Sequence, residues 1–248
     1  MGTKMITYNK EHYTVMANAI VKGKQEMTLS EARIIRLLIT QVVKEDKDLK
    51  TYTCRIQDLA KFLNIASENL YRDVRIVCKN LLKRVVSIET QNPKEPWYSF
   101  QWLQMARYDG NGNITLQLSE KIVPYVLELN SWFTQYKLEN ILEFSSFYAI
   151  RLYEILKCET GISRDEKYEF IFDIEYLREI FCCEEKHVKI YNFLKRVVDI
   201  SVREINDKSD ITVTYECMKT SRKITEIKFE VGYNMKNLYN KKLKQKTL

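Results

Sequence analysis

Four polar residues in the C-terminal half of the chain recur at a helical spacing. Lys189, Asn192, Arg196 and Arg203 follow one another at intervals that place them on one side of a helix, opposite an apolar face. Arginine and asparagine can form paired hydrogen bonds with the edges of guanine and adenine, respectively, and lysine suits phosphates. This chemistry would serve DNA recognition, although a charged helix face taken alone is more often only a solvated surface. The predicted elements around the helix indicate which interpretation applies, DNA recognition or a solvated surface.

Other cations extend this candidate surface. Two lysines flank the four residues, a basic loop follows between two predicted strands, and an N-terminal helix carries a comparable basic side. The predicted DNA-binding residues are Arg72, Arg75, Lys79, Lys83, Lys186, Lys189, Asn192, Lys195, Arg196, Lys219, Arg222 and Lys223. Among them, Arg196 and Asn192 are expected to read bases, whereas Lys219 and Arg222 in the loop are expected to hold phosphates.

The overall charge is compatible with a nucleic-acid partner but does not establish one. The 248 residues contain 40 Lys and Arg against 33 Asp and Glu, which gives a formal net charge of +7. Many soluble proteins carry a similar excess without binding a polyanion. Apolar residues make up 45% of the chain, so a folded core is expected, and the length accommodates two domains of ordinary size.

The residues that metal or cofactor chemistry would need are missing or scattered. None of the six cysteines forms a C-x-x-C pair, and the two histidines, His12 and His187, lie far apart in the sequence. The adjacent histidines of a DNA-nicking initiator and the G-x-x-x-x-G-K-[ST] phosphate loop of an ATPase do not occur. We therefore predict a protein that is not an enzyme and that has no catalytic residues, no metal and no cofactor.

Membrane and secretion signals are also missing from the sequence. No apolar stretch approaches the roughly 20 residues that span a bilayer, and the N-terminus has no signal-peptide-like apolar segment. Cysteines within apolar runs fit a reducing compartment. These features predict a cytoplasmic protein with no membrane partner.

A short internal repeat indicates two related halves. Residues 82–86 and 194–198 both read Leu-Lys-Arg-Val-Val, 112 residues apart. In each half, a β-rich run and a short helical segment precede a longer helix that runs into the pentapeptide, and alternating strand patterns follow it. Strand, short helix, long helix and hairpin is the order of a winged helix. The long helix would then be the recognition helix and the hairpin tip the wing.

We therefore predict an α+β fold with two tandem winged-helix domains, a pseudo-repeat that occupies residues 1–130 and 131–248. In the first domain, Thr28-Leu29-Ser30-Glu31 forms a capping box that opens a further helix through Val43. This domain is expected to contact the DNA backbone and to dimerise through an apolar hairpin over residues 97–118, whose first strand is predicted over 97–108, because exposed strand edges invite pairing. The second domain is expected to bind DNA sequence-specifically.

Several segments resemble one known family, the iteron-binding plasmid replication initiators. Residues 147–157, Phe-Tyr-Ala-Ile-Arg-Leu-Tyr-Glu-Ile-Leu-Lys, resemble its signature helix, and residues 191–198, Tyr-Asn-Phe-Leu-Lys-Arg-Val-Val, resemble its C-terminal recognition helix. Residues 215–229 are similar to its wing, although relatives often carry glycine where this chain has Ser221. The resemblance extends roughly from Tyr13 to Val231.

This resemblance implies an initiator that binds directly repeated double-stranded origin sites, the iterons, and promotes their opening. It also implies recruitment of the host chromosomal initiator and replicative helicase, with a monomer active at the origin and a homodimer that represses. A winged-helix transcriptional repressor, which binds an operator without initiating replication, is the alternative. Origin opening, or replication of a test plasmid, would separate the two functions.

Overall fold

The computed structural model describes residues 2–46, 48–66, 68–90, 92–129, 132–160 and 167–237. The chain divides into two compact units, Met1–Leu138 and Glu139–Leu248. The boundary predicted between residues 130 and 131 lies earlier than this division. The difference arises because the strand Phe133–Lys137 pairs with Tyr13–Ala17 and so completes the N-terminal unit.

In the described residues of the N-terminal unit, short strands form three small sheets, and helices lie between the strands along the chain. In chain order its elements are β1 (Thr3–Met5), β2 (Tyr13–Ala17), α1 (Asn18–Lys22), β3 (Lys24–Gln25), α2 (Leu29–Ile39), β4 (Thr51–Arg55), α3 (Ile56–Phe62), α4 (Leu70–Leu81), β5 (Val85–Glu89), β6 (Trp97–Gln101), β7 (Leu103–Tyr108), β8 (Asn113–Leu118), a 3-10 turn (Glu120–Ile122), α5 (Val123–Val126) and β9 (Phe133–Lys137). Strands β1, β4, β8 and β7 form one sheet in that order, β3, β5 and β6 form a second, and β2 pairs with β9.

Helix α2 lies at the centre of this unit and begins at the predicted capping box. The Thr28 hydroxyl accepts a hydrogen bond from the backbone N–H of Glu31 (3.3 Å), and the Glu31 carboxylate accepts one from the N–H of Thr28 (2.8 Å). Every residue from Glu31 to Ile39 is buried. The helix ends at Ile39 instead of continuing to Val43 as predicted.

The prediction of a single strand over residues 97–108 is wrong, because this segment is interrupted at Trp102 and forms two strands, β6 and β7. Trp102 and Leu103 are consecutive and both fully buried, whereas the side chains of a regular strand alternate between two faces. Strand β6 pairs with β5, and β7 pairs with β8 in a different sheet. The hairpin predicted over residues 97–118 is therefore two separate pairings, and the wing of this unit is the β5–β6 hairpin.

The C-terminal unit contains the predicted order of strand, short helix, long helix and hairpin. Its elements are α6 (Glu139–Leu142), α7 (Phe147–Glu159), β10 (Tyr168–Asp173), α8 (Ile174–Ile180), α9 (Ile190–Phe193), a π-helical turn (Leu194–Val198), α10 (Asp199–Lys208), β11 (Ile211–Thr220) and β12 (Lys223–Tyr233). Strands β10, β12 and β11 form an antiparallel sheet in that order. Helix α7 packs against α10.

The long helix of this unit is continuous from α9 through the π turn to α10. Its inward positions Phe193, Val197, Ser201 and Ile205 are buried and are spaced by four residues throughout. Four residues of an α-helix advance about 40° beyond a full turn, so this spacing would drift off one face. The wider π turn absorbs the excess residue and keeps these side chains directed inward.

The two copies of Leu-Lys-Arg-Val-Val do not occupy equivalent positions, so the predicted register of the repeat is wrong. Residues 82–86 span the end of α4 and the start of β5, whereas residues 194–198 form the π turn inside a helix. The same five residues adopt different conformations because their tertiary contacts differ. In the N-terminal copy, Arg84 pairs with Glu31 at 2.8 Å and its carbonyl accepts a hydrogen bond from the N–H of Trp102 (3.1 Å). In the other copy, Val197 and Val198 are buried as part of the helix.

Candidate nucleic-acid interface

A buried arginine fixes the start of the long helix in the C-terminal unit, residues 190–208, which we name the C-terminal recognition helix. Arg178 of α8 is only 5% exposed. Its guanidinium donates hydrogen bonds to the carbonyl oxygens of His187 (3.1 Å) and Val188 (3.0 Å) and lies 4.7 Å from the ring centroid of Phe193. Arg178 was not among the residues predicted from the sequence, because an arginine in a short polar helix carries no pattern that distinguishes it from surface cations.

The predicted polar residues lie in the first half of the recognition helix and in the segment just before it, which contains Lys186 and Lys189. Lys186, Lys189, Lys195 and Arg196 are exposed, and Asn192 is half-buried. Across the described part of the chain, the side chains of Lys189 and Arg196 make no hydrogen bond or ion pair. These donors are therefore available to an external acceptor such as a phosphate or a base edge.

The π turn divides the predicted four-residue stripe. Lys189, Asn192 and Arg196 lie up to and within the turn, whereas Arg203 lies beyond it. One additional residue in a helical turn rotates all later positions by about 100° relative to an uninterrupted α-helix. Arg203 is therefore displaced from the line of the other three, and the predicted stripe holds only for its first three members. Isolated π turns are frequent at functional sites, and Lys195 and Arg196 lie in this one.

The electrostatic environment at the start of the recognition helix is positive. The pKa of His187 is lowered, first by burial and then by the positive charges of Arg196, Arg178 and Lys186. The shift favours the neutral imidazole. The same cations would attract a phosphate group at this end of the helix.

The wing of the C-terminal unit is the hairpin formed by β11 and β12. Lys219, Arg222 and Lys223, all predicted to bind DNA, are exposed around its tip. Ser221 at the tip has a φ of +59°, in the left-handed region. A non-glycine residue costs about 1–2 kcal/mol there. The strand register also shifts at Met218/Lys219, which bends the hairpin below its tip.

Helix α4 carries three of the four predicted cations of the N-terminal unit, and the fourth, Lys83, lies in the turn that follows it. Its buried side consists of Val74, Cys78 and Leu81, and the predicted residues on the remaining surface are all exposed: Arg72, Arg75, Lys79 and Lys83. Two of them already have partners.

Arg72 and Arg75 are therefore less available than the two lysines. The Arg72 guanidinium lies 3.1 Å from the carboxylate of Asp73, and the Arg75 guanidinium lies 4.8 Å from the ring centroid of Tyr108 on β7. Both arginines are exposed, and a surface ion pair contributes only about 0–1 kcal/mol. Both side chains can therefore still offer N–H donors to an external partner.

The wing of the N-terminal unit was not among the predicted DNA-binding residues. Its loop follows β5, and β6 then begins with Trp97, which is 65% exposed. Lys94 is also exposed in this loop. The two prolines of the loop, Pro93 and Pro96, indicate a turn in the sequence but not a role in DNA binding, and the strand after the turn was predicted too long.

The part of the chain that the structure describes holds no candidate metal centre. That part contains no group of three or more His, Cys, Asp or Glu side chains that could hold a metal ion. Burial raises the pKa of the Cys183 thiol, next to the recognition helix, to about 11, which keeps it protonated and weakly nucleophilic at neutral pH. Of the helices described, none is both long and apolar enough to cross a membrane.

Comparisons with known proteins all match replication initiator proteins, and together they cover most of the chain. Residues 13–157 match the family model described as initiator replication protein, WH1, and residues 173–231 match the model described as initiator Rep protein, WH2. A replication initiation protein from Escherichia coli is 23% identical over 220 residues, which cover 87% of this chain and 68% of that protein. The crystal structure of the Pi initiator protein in complex with iteron DNA is similar in fold, with a TM-score of 0.72 and 21% identity over 92% of this chain and 99% of that one.

Proposed function

The chain belongs to the initiator replication protein family with WH1 and WH2 domains, and we propose that it starts plasmid replication by binding directly repeated origin DNA. The observation that carries this proposal is the surface of the C-terminal unit. Lys189, at the N-cap of the recognition helix, and Arg196, within the helix, are exposed and make no hydrogen bond or ion pair in the described chain. Arg222 is exposed on the wing. A recognition helix in the major groove with a basic wing on the backbone is the geometry that such a surface serves.

In this proposal the C-terminal unit reads the base sequence and also contacts phosphates, whereas the N-terminal unit contacts mainly the DNA backbone. Asn192 and Arg196 would contact base edges, and Lys219 and Arg222 would contact phosphates. In the N-terminal unit, Arg72, Arg75, Lys79 and Lys83 would mainly grip the backbone. The existing contacts of Arg72 with Asp73 and of Arg75 with Tyr108 support this weaker role, because a guanidinium that stacks on a neighbour is less free to reach into a groove.

A nuclease footprint on the DNA that flanks the gene tests the proposal. If each winged helix occupies one major groove, one monomer should protect about 20 bp, two helical turns, at each directly repeated site. A variant with Lys79 and Lys83 both replaced by alanine should lose protection in one part of the site while retaining the sequence preference. Protection that spans only one groove in the wild-type protein would contradict a two-domain grip.

We further propose that the chain forms homodimers through its N-terminal unit and recruits the host chromosomal initiator and replicative helicase. Strands β6 and β7 each lie at an edge of their sheet, and an unpaired edge can accept a strand from a second copy. Dimers should then prefer inverted over direct repeats, which the same footprint distinguishes when the protein is sorted by size beforehand. Equal protection of both repeat types by monomer and dimer fractions would contradict this arrangement.

A further inference from the structure

An apolar pair, Val188 and Tyr191, lies at the start of the C-terminal recognition helix. It stands within a group of exposed cations that we name the basic surface: Lys186, Lys189, Lys195 and Arg196. The Val188 side chain is 69% exposed and that of Tyr191 is 65% exposed. The exposed cations Lys186, Lys189 and Lys195 surround them in sequence. Phosphate attraction explains the cations but gives no reason for large apolar groups to stand among them.

The backbone of Val188 and the side chain of Tyr191 are held by their neighbours. The carbonyl of Val188 accepts a hydrogen bond from the buried guanidinium of Arg178 at 3.0 Å, which fixes the backbone from which the valine projects. The ring of Tyr191 lies 5.5 Å from the ammonium group of Lys195, which also donates a hydrogen bond to the tyrosine hydroxyl at 3.3 Å. A fixed apolar surface loses little conformational entropy when it is covered by a ligand.

The major groove offers one apolar group that such a surface could cover, the C5 methyl of thymine. In helix-turn-helix proteins, the residues at the N-terminal end of the recognition helix are those that reach the base edges. We infer that Val188 and Tyr191 read thymine through its methyl group, beside the base that Asn192 contacts. This inference rests on the proposed function and adds a preference for A·T pairs at defined positions of the site.

Removal of single methyl groups from the DNA tests the inference. The full chain first selects a duplex from a random-sequence pool, and each thymine of that duplex is then replaced singly by deoxyuridine, which removes only the C5 methyl. At one or two positions the wild-type affinity should fall about fourfold, the ratio that corresponds to one buried methyl-sized group. Val188→Ala or Tyr191→Ala should bind the thymine and deoxyuridine duplexes equally at the position that each residue covers.

Met235→Ala is the matched control, because Met235 is also 69% exposed but lies outside the basic surface, and this variant should keep the full deoxyuridine effect. The inference is overturned if no substitution weakens wild-type binding, if the selected site contains no thymine, or if the effect persists unchanged in both variants. Failure of the chain to select any common sequence would instead overturn the proposed function, and this inference with it.

Discussion

Replacing Arg196 with alanine is expected to reduce the ratio of repeat-site affinity to random-DNA affinity by roughly 5- to 150-fold. Arg196 lies in the π turn of the recognition helix, is exposed, and has no hydrogen-bond or ion-pair partner in the described chain. A lost bidentate contact with a base costs about 1–3 kcal/mol at the cognate site but little on random DNA. Titration of both DNAs at several salt concentrations measures the ratio.

Arg222→Ala is the control for this prediction, since it removes the same guanidinium from the tip of the wing. It should weaken binding to both DNAs alike and lower the slope of log affinity against log salt concentration by about one. Circular dichroism of both variants confirms that they are folded. If Arg196→Ala leaves the affinity ratio unchanged, this helix face does not read the sequence and the assigned roles in the C-terminal unit are wrong.

Replacing Glu204 with alanine is expected to destabilise the C-terminal unit by about 2–3 kcal/mol. The Glu204 side chain lies in α10 and is buried. Its carboxylate accepts hydrogen bonds from the backbone N–H groups of Ser145 (2.9 and 3.0 Å) and Ser146 (3.3 Å) and from the Ser145 hydroxyl. These groups precede α7, so the carboxylate also places a negative charge at the positive end of that helix. Its loss would remove the acceptor of three hydrogen-bond donors, the two N–H groups and the Ser145 hydroxyl, at the start of α7.

Native-state hydrogen exchange of the full chain measures this effect directly, because it reports each helix separately. The free energy of exchange should fall in α7 and α10 and stay unchanged in α4 of the N-terminal unit. Asp207→Ala removes an exposed carboxylate from the same helix and should change stability by less than about 0.5 kcal/mol. Glu204→Gln, which keeps acceptor and shape, should lie between the two. An equal effect of Glu204→Ala and Asp207→Ala would mean that the carboxylate does not stabilise α7.

The order of the elements and the exposed cations could be predicted from the sequence, because both depend on local periodicity. Apolar residues at helical and alternating spacings identified the long helices and the final hairpin, and the capping box at Thr28 located the start of α2 correctly. The cations of the recognition helix and wing were placed on the surface for the same reason. Their roles in DNA binding remain predictions.

Features that depend on tertiary contacts could not be predicted. The pentapeptide that suggested the repeat is a helix end in one unit and a π turn in the other, because Arg84 meets Glu31 while Val197 and Val198 enter a core. The break at Trp102 follows from the burial of two consecutive residues, which alternation along a strand does not reveal. The winged-helix organisation was therefore correct although the repeat register that first suggested it was wrong.

Replication of a test plasmid is the measurement that addresses the central claim most directly. The plasmid carries the repeated DNA that flanks this gene but no functional initiator gene, and the chain is supplied from a second, compatible replicon in the same bacterial host. We expect the wild-type chain and Asp207→Ala to maintain the plasmid, whereas Arg196→Ala should not. If the wild-type chain protects the repeats in a footprint but the plasmid is still lost, the chain binds this DNA without initiating replication, and the proposed function is contradicted.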